Sequence, residues 1–171
     1  FSGLQKTARL INYGTDTSAI IVLFKEAGLP AFFRQPLHEL FGQSISLDHF
    51  FPASEILMVQ EQLANAKSNL KRIEALETFL LSKLNNFSAD KLITTAIRKI
   101  KAENGNVRIK QLADELFISQ DAFGKRFRKI TGATPKQFSH IVKMNAAITQ
   151  HSNDLSFLDM ALTNGYYDQP H

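Results

Sequence analysis

"IKQLADELFISQDAFGKRFRKITG", residues 109–132, is the stretch that decides how this chain is read. Two helices that cross closely need a small residue at the crossing and a short turn. The second also needs an N-cap and apolar residues on its inner face. Ala113 supplies the small residue, and Leu116, Phe117 and Ile118 make the turn. The Ser119 hydroxyl can accept from the free N–H groups of the next turn. Phe123, Phe127 and Ile130, at i, i+4 and i+7, share one face and meet Ile109, Leu112, Leu116 and Ile118. The pattern predicts a helix over 109–116, a helix over 119–131, and a helix-turn-helix made of the two.

At about 100° per residue, the face opposite Phe123 and Phe127 carries Asp121, Lys125 and Arg128, with Gly124 and Lys129 at its edges. A recognition helix points such positions into a major groove. Lys125 can reach a guanine edge or a phosphate. Arg128 and Lys129, toward the C-terminus, suit phosphates, while Gln120 and Asp121 suit adenine or cytosine edges. Ser119 and its neighbouring amides form a phosphate seat, and Lys136 adds a cation in the following helix. A lone amphipathic helix would carry the same charges merely to solvate its surface. The crossing alanine, the short turn and the cap are what favour DNA.

Charge distribution points the same way. Residues 1–87 hold 8 Lys/Arg and 8 Asp/Glu, whereas residues 88–138 hold 11 Lys/Arg against 5 Asp/Glu. A basic excess confined to one block is the electrostatic footprint of a nucleic-acid-binding region. A second half-pattern, "LSFLDMALTNGYYDQPH" (residues 155–171), repeats the logic 48 residues on: Ala161 matches Ala113, Gly165 lies at the turn, and Asp168 would cap a further helix. Gln169 and His171 join Asp168 as candidate contacts. Between the two patterns "TPKQFSHIVKMNAAITQ" reads as a longer helix opened by Thr134, with Pro135 at its first position.

"LADELFISQDAFGKRFRKITGATPKQFSHIVKMNAA" resembles the DNA-binding domain of AraC/XylS-type bacterial transcription regulators. The matching elements are the alanine of "LA", Ser119, the "RFR" of residues 126–128, "TGATP" at 131–135, Lys143–Met144 and "NGYYDQPH". The resemblance implies two helix-turn-helix units on a linker helix, double-stranded DNA as partner, and regulation of transcription, as an activator or a repressor, with RNA polymerase as a further partner. It also implies a cytoplasmic, bacterial regulator. Two departures are Phe117, where such turns often use glycine, and Lys143, where arginine is common. The family pattern continues past His171 into a second recognition helix, and the chain opens on Phe1 without a start methionine. Both ends therefore read as the edges of a fragment, with the second unit truncated.

The first half reads differently. "ARLINYG" (8–14), "SAIIVLFKEAG" (18–28) and "GQSISL" (42–47) are strand-like, and "AFFRQPLHELFG" between them reads as a helical turn. This region is similar to a cupin-like sensor found ahead of AraC-type domains. The fold expected is thus mainly α, a tandem helix-turn-helix domain joined by a linker helix and preceded by a partial α+β region with two or three strands. The domains are residues 1–52 (sensor), 53–87 (helical connector) and 88–171 (DNA-binding), with the boundary at "NNFS" and Ser88 as a cap.

Two features of the first half have competing explanations. The phenylalanines 24, 32, 33, 41, 50 and 51 either line a pocket for a small-molecule effector or pack as ordinary core. The stripe of Leu70, Ile73, Leu76, Leu80 and Leu84 is either a homodimer seam, through Leu70, Ile73, Leu80 and Leu84, or a face packed on the strands. A ligand-sensing or dimerisation module with little DNA binding is the alternative function. Enzyme chemistry lacks support. The chain has no cysteine, its five histidines form no metal-binding pattern, and no Walker, dinucleotide or G-x-S-x-G motif is present, so no cofactor, metal or catalytic residue is expected. No apolar run approaches the ~20 residues that span a bilayer, so no membrane partner is expected.

Overall fold

The computed structural model describes residues 1–5 and 11–149. They divide between two compact units, Phe1–Ala89 and Asp90–His171. Among the described residues the elements are three short 3-10 turns, Leu29–Ala31, Leu37–Leu40 and Leu47–His49, followed by six helices: α1 (Ala53–Asn65), α2 (Asn69–Ser82), α3 (Lys91–Ala102), α4 (Ile109–Glu115), α5 (Gln120–Thr131) and α6 (Pro135–Thr149).

The mainly helical expectation holds, but the α+β region does not form. No strand occurs among the described residues; there is a single isolated antiparallel bridge, between Ser2 and Ser44. The apolar composition of residues 18–28 promised a strand, and composition alone cannot make one. A strand's N–H and C=O groups must bond to a second segment. Residues 17–25 have no regular structure, and Ile21 and Leu23 are 72% and 88% exposed. Residues 42–47 pair with Phe1 to Leu4 for one bridge only, through bonds such as Gly3 N–H to Gln43 C=O at 3.1 Å. The segment expected at 8–14 lies partly outside the described residues.

What organises Phe1–Ala89 is an aromatic core. Phe33, Leu37, Leu40, Phe51, Val59 and Phe79 are buried together, with Phe24, Phe32 and Phe50 half-buried against them. Phe33 meets Phe1, Phe24, Phe50 and Phe51 with ring centroids 4.9–5.8 Å apart. These edge-on and tilted contacts let the rings fill space against one another. Lys83 lies over the rings of Phe51 and Phe79 and pairs with Glu55, so one cation joins the end of α2 to the start of α1. The leucine stripe of α2 is divided. Phe79 takes the buried centre and Leu80 packs half-buried beside it, while Leu70 and Ile73, and Leu84 two residues past the helix end, stay exposed.

In the second unit α3 is capped by Asp90 rather than Ser88. The Asp90 carboxylate accepts from the N–H groups of Leu92 and Ile93, both at 3.1 Å. A carboxylate directly ahead of the first turn satisfies two free amides and complements the helix dipole. Ile93, Ala96, Ile97 and Ile100 form the buried stripe of α3. The helix stops at Asn104 and Gly105, both at positive φ. Gly105 is required there: a Cβ would stand 2.3 Å from the Ser139 carbonyl oxygen, where α6 passes. Ser139 Oγ donates to the Gly105 carbonyl at 2.5 Å across the same approach.

Candidate nucleic-acid interface

α4 and α5 meet around Ala113, which is fully buried. The turn between them is closed by Ile118 N–H donating to the Ala113 carbonyl at 3.1 Å. Phe117 takes φ 55° there with its side chain 97% exposed. The chain thus adopts the left-handed turn that glycine would make cheaply, and does so with an aromatic residue. Ser119 caps α5, accepting from Ala122 N–H at 3.3 Å. At the other end Gly132, at φ 83°, closes the helix with its N–H on the Arg128 carbonyl.

The two-helix core expected from the sequence is incomplete without α3 and α6. Phe123, Phe127 and Phe138 are fully buried with Ile93 and Ile100. Phe127 sits 5.6 Å from Phe123 and 5.5 Å from Phe138, ring centre to ring centre. Each such side chain contributes roughly 1.5–3 kcal/mol through burial. After α5, the Thr131 hydroxyl lies 3.0 Å from the carbonyl oxygens of both Phe127 and Ala133, either of which can take its one proton, and it accepts from Ala133 N–H at 3.2 Å. Thr134 and Gln137 then cap α6 reciprocally: Gln137 N–H donates to Thr134 Oγ1 at 3.2 Å, and Thr134 N–H to Gln137 Oε1 at 2.9 Å. The path from α5 into α6 is therefore bonded at every step.

With Phe123, Phe127 and Ile130 turned inward, Asp121, Lys125, Arg128 and Lys129 are exposed together on the other side of α5, and Gly124 is half-buried at its edge. A Cβ added to Gly124 would meet nothing within 4 Å. Ser119 and Gln120 are exposed at the start of the helix, and Lys136 is exposed on a separate helix, in the first turn of α6. Arg128, Lys129 and Lys136 hold no ion pair among the described residues. Lys125 does: its ammonium lies 2.8 Å from Asp121. That hydrogen bond, and then the charge of Asp121, raise the Lys125 pKa above its ordinary value. Asp168, Gln169 and His171 lie outside the described residues.

Two site-shaping residues escape a reading by motif. Asp90 and Arg126 are 36 positions apart, yet Arg126 Nε donates to Asp90 Oδ2 at 2.5 Å. The local signal was available for half of this, since Asp90 directly precedes the apolar stripe that opens at Leu92. Elsewhere Lys99 is taken by Glu115 at 2.5 Å, so the basic excess of this block is partly spent inside the unit.

Among the described residues no helix is long and apolar enough to cross a membrane. No curated protein and no solved structure gives a significant match to the chain. Residues 103–140, which run from the end of α3 through α4 and α5 into α6, match the bacterial regulatory helix-turn-helix proteins of the AraC family.

Proposed function

We propose that this protein binds double-stranded DNA through α5 and regulates transcription. The observation that carries this reading is the two-sided character of α5. Its aromatic face is sealed into the unit, while Lys125, Arg128 and Lys129 are held outward on the other, behind a rigid capped turn. A helix of this kind enters the major groove with its N-terminal half toward base edges and its basic end on phosphates. In this reading Gln120, Asp121 and Lys125 face bases, Gly124 allows close approach, and Ser119, Arg128, Lys129 and Lys136 hold the backbone. Asp168, Gln169 and His171 would add contacts from the end of the chain.

The likeness over 103–140 supports the same class of function, as does the concentration of Lys/Arg in residues 88–138. Cytoplasmic location and contact with RNA polymerase follow from that likeness alone. A sensor reading loses support where the phenylalanines of the first unit fill their own space. A homodimer would use the exposed Leu70 and Ile73 of α2 and Leu84 just past its end, without Leu80, which packs inward.

The test is binding to duplex DNA as salt is varied. Affinity should fall by about one unit of log–log slope per phosphate contact. Lys125→Ala and Arg128→Ala should each weaken binding at low salt. Unchanged affinity in both would remove α5 from the interface.

A further inference from the structure

On α5 Arg126 stands at the edge between the buried phenylalanines and the exposed face that carries Lys125 and Arg128, and its guanidinium donates to Asp90. We propose that Asp90 and Arg126 form a clamp that sets the roll of α5, making Arg126 a positioning residue rather than a phosphate contact. The inference rests on the DNA-binding reading above.

Asp90 is a fixed post. One carboxylate oxygen accepts the amides of Leu92 and Ile93, and the other accepts Arg126 Nε. The helix it caps is anchored by the fully buried Ile93 and Ile100. The Asp90 side chain is 13% exposed and that of Arg126 49%, against 77% and 78% for the Asp121–Lys125 pair on the same helix. Solvent and salt therefore screen the clamp less than they screen the neighbouring pair.

The clamp supplies what the core cannot. Burial of Phe123, Phe127 and Ile130 holds α5 down, but the hydrophobic effect is non-directional and tolerates small rotations. A charge-assisted hydrogen bond at the edge of the buried face is directional. A roll of about 10° would carry a lysine ammonium far from the helix axis by on the order of 1 Å, enough to spoil a base contact. Phosphate contacts, made by long side chains to a continuous backbone, are more forgiving. The clamp should thus govern discrimination between sequences more than overall attraction to DNA.

The experiment uses the full chain and two probes: a duplex enriched by the wild type from a random 20-base-pair pool, and the unselected pool. Arg126→Gln and Asp90→Asn should each weaken binding to the enriched duplex about tenfold, the scale of one lost base contact, and leave pool affinity and salt slope unchanged. Asparagine keeps the α3 cap, so Asp90→Asn removes the charge without the helix start. The double variant should be no worse than either single one. Arg126→Lys, folded by thermal unfolding, should remain defective in discrimination because the planar donor is lost. A salt slope smaller by about one in Arg126→Gln, with equal loss on both probes, would make Arg126 a phosphate contact and overturn the clamp. A wild type that enriches no duplex and shows no salt-dependent binding would overturn the DNA reading and the clamp with it.

Discussion

Lys125 Nζ stands 2.8 Å from Asp121 Oδ2, one helical turn away, on the exposed face of α5. The acid sits in the first turn, where the helix dipole favours it, and precedes the lysine in the favourable i,i+4 order. The same pair has a consequence for DNA. If α5 enters a groove, this carboxylate would repel phosphates wherever it finds no base amino group, and it already holds the neighbouring ammonium.

Asp121→Asn should therefore raise affinity for a random-sequence duplex several-fold, by roughly the worth of one ionic contact, while narrowing the gap to a selected duplex. Fluorescence anisotropy on both duplexes at one salt concentration measures it. Equal affinity of variant and wild type for the random duplex would place Asp121 away from DNA.

Gly124 is an interior helix glycine that no neighbour among the described residues requires. Alanine there should stabilise the unit by about 1 kcal/mol, the propensity difference in a helix interior. If the DNA backbone approaches that edge of α5, the same substitution should weaken binding. Thermal unfolding and a DNA titration of Gly124→Ala check the two effects together, and a more stable protein with full affinity would take Gly124 out of the interface.

Phe117 combines φ 55° with 97% exposure, so it bears left-handed strain without the return of burial. That conformation costs an L-residue roughly 1–2 kcal/mol, while glycine's extra chain entropy offsets about 0.5–1 kcal/mol of the relief. Phe117→Gly should raise stability by up to about 1 kcal/mol, and Phe117→Ala, which keeps the strain, should change it little. Urea unfolding of the two variants side by side separates strain from side-chain loss.

Asp90 gives the second unit an acid limb. Burial pushes its pKa up, but the Arg126 hydrogen bond, the Ile93 and Leu92 amides and the Arg126 charge outweigh that and leave it below 3.8, its ordinary value. A depressed folded-state pKa contributes stability above the unfolded-state value, and the contribution is lost as pH falls through the folded one. Acidification should destabilise the wild type more than Asp90→Asn, in unfolding midpoints compared between neutral pH and pH below 3.8. Parallel curves for the two proteins would remove Asp90 as a source of the acid sensitivity.

For the homodimer reading, sedimentation of the chain should give about twice its 19.2 kDa mass. Leu70→Glu combined with Ile73→Glu should return the single mass, because an unpaired charge is costly on a buried seam. A wild type that sediments at the single mass at micromolar concentration sinks the reading.

Much of the helical order was legible because its signals are local. The stripe of Ile93, Ile97 and Ile100, the cap at Ser119, the crossing at Ala113 and the Thr134–Pro135 start each lie within a few residues of the backbone groups they serve. The leucine stripe of α2 was legible as a stripe but not as a partition. Which of its members turned inward depended on Phe79 and on aromatic partners from residues 24–51.

By itself, then, the sequence determined the helices from residue 53 to 149 and the turn between α4 and α5. An α-helix closes its hydrogen bonds within its own segment and shows its buried face as a period of 3.6. Tertiary structure alone decided that residues 18–28 would have no strand partner among the described residues, that Phe138 and α3 would complete the core, and that Arg126 would be held by Asp90. The reason is physical: strand pairing, ring packing and ion pairs between elements join groups that are far apart in the chain, and no local period records which will meet.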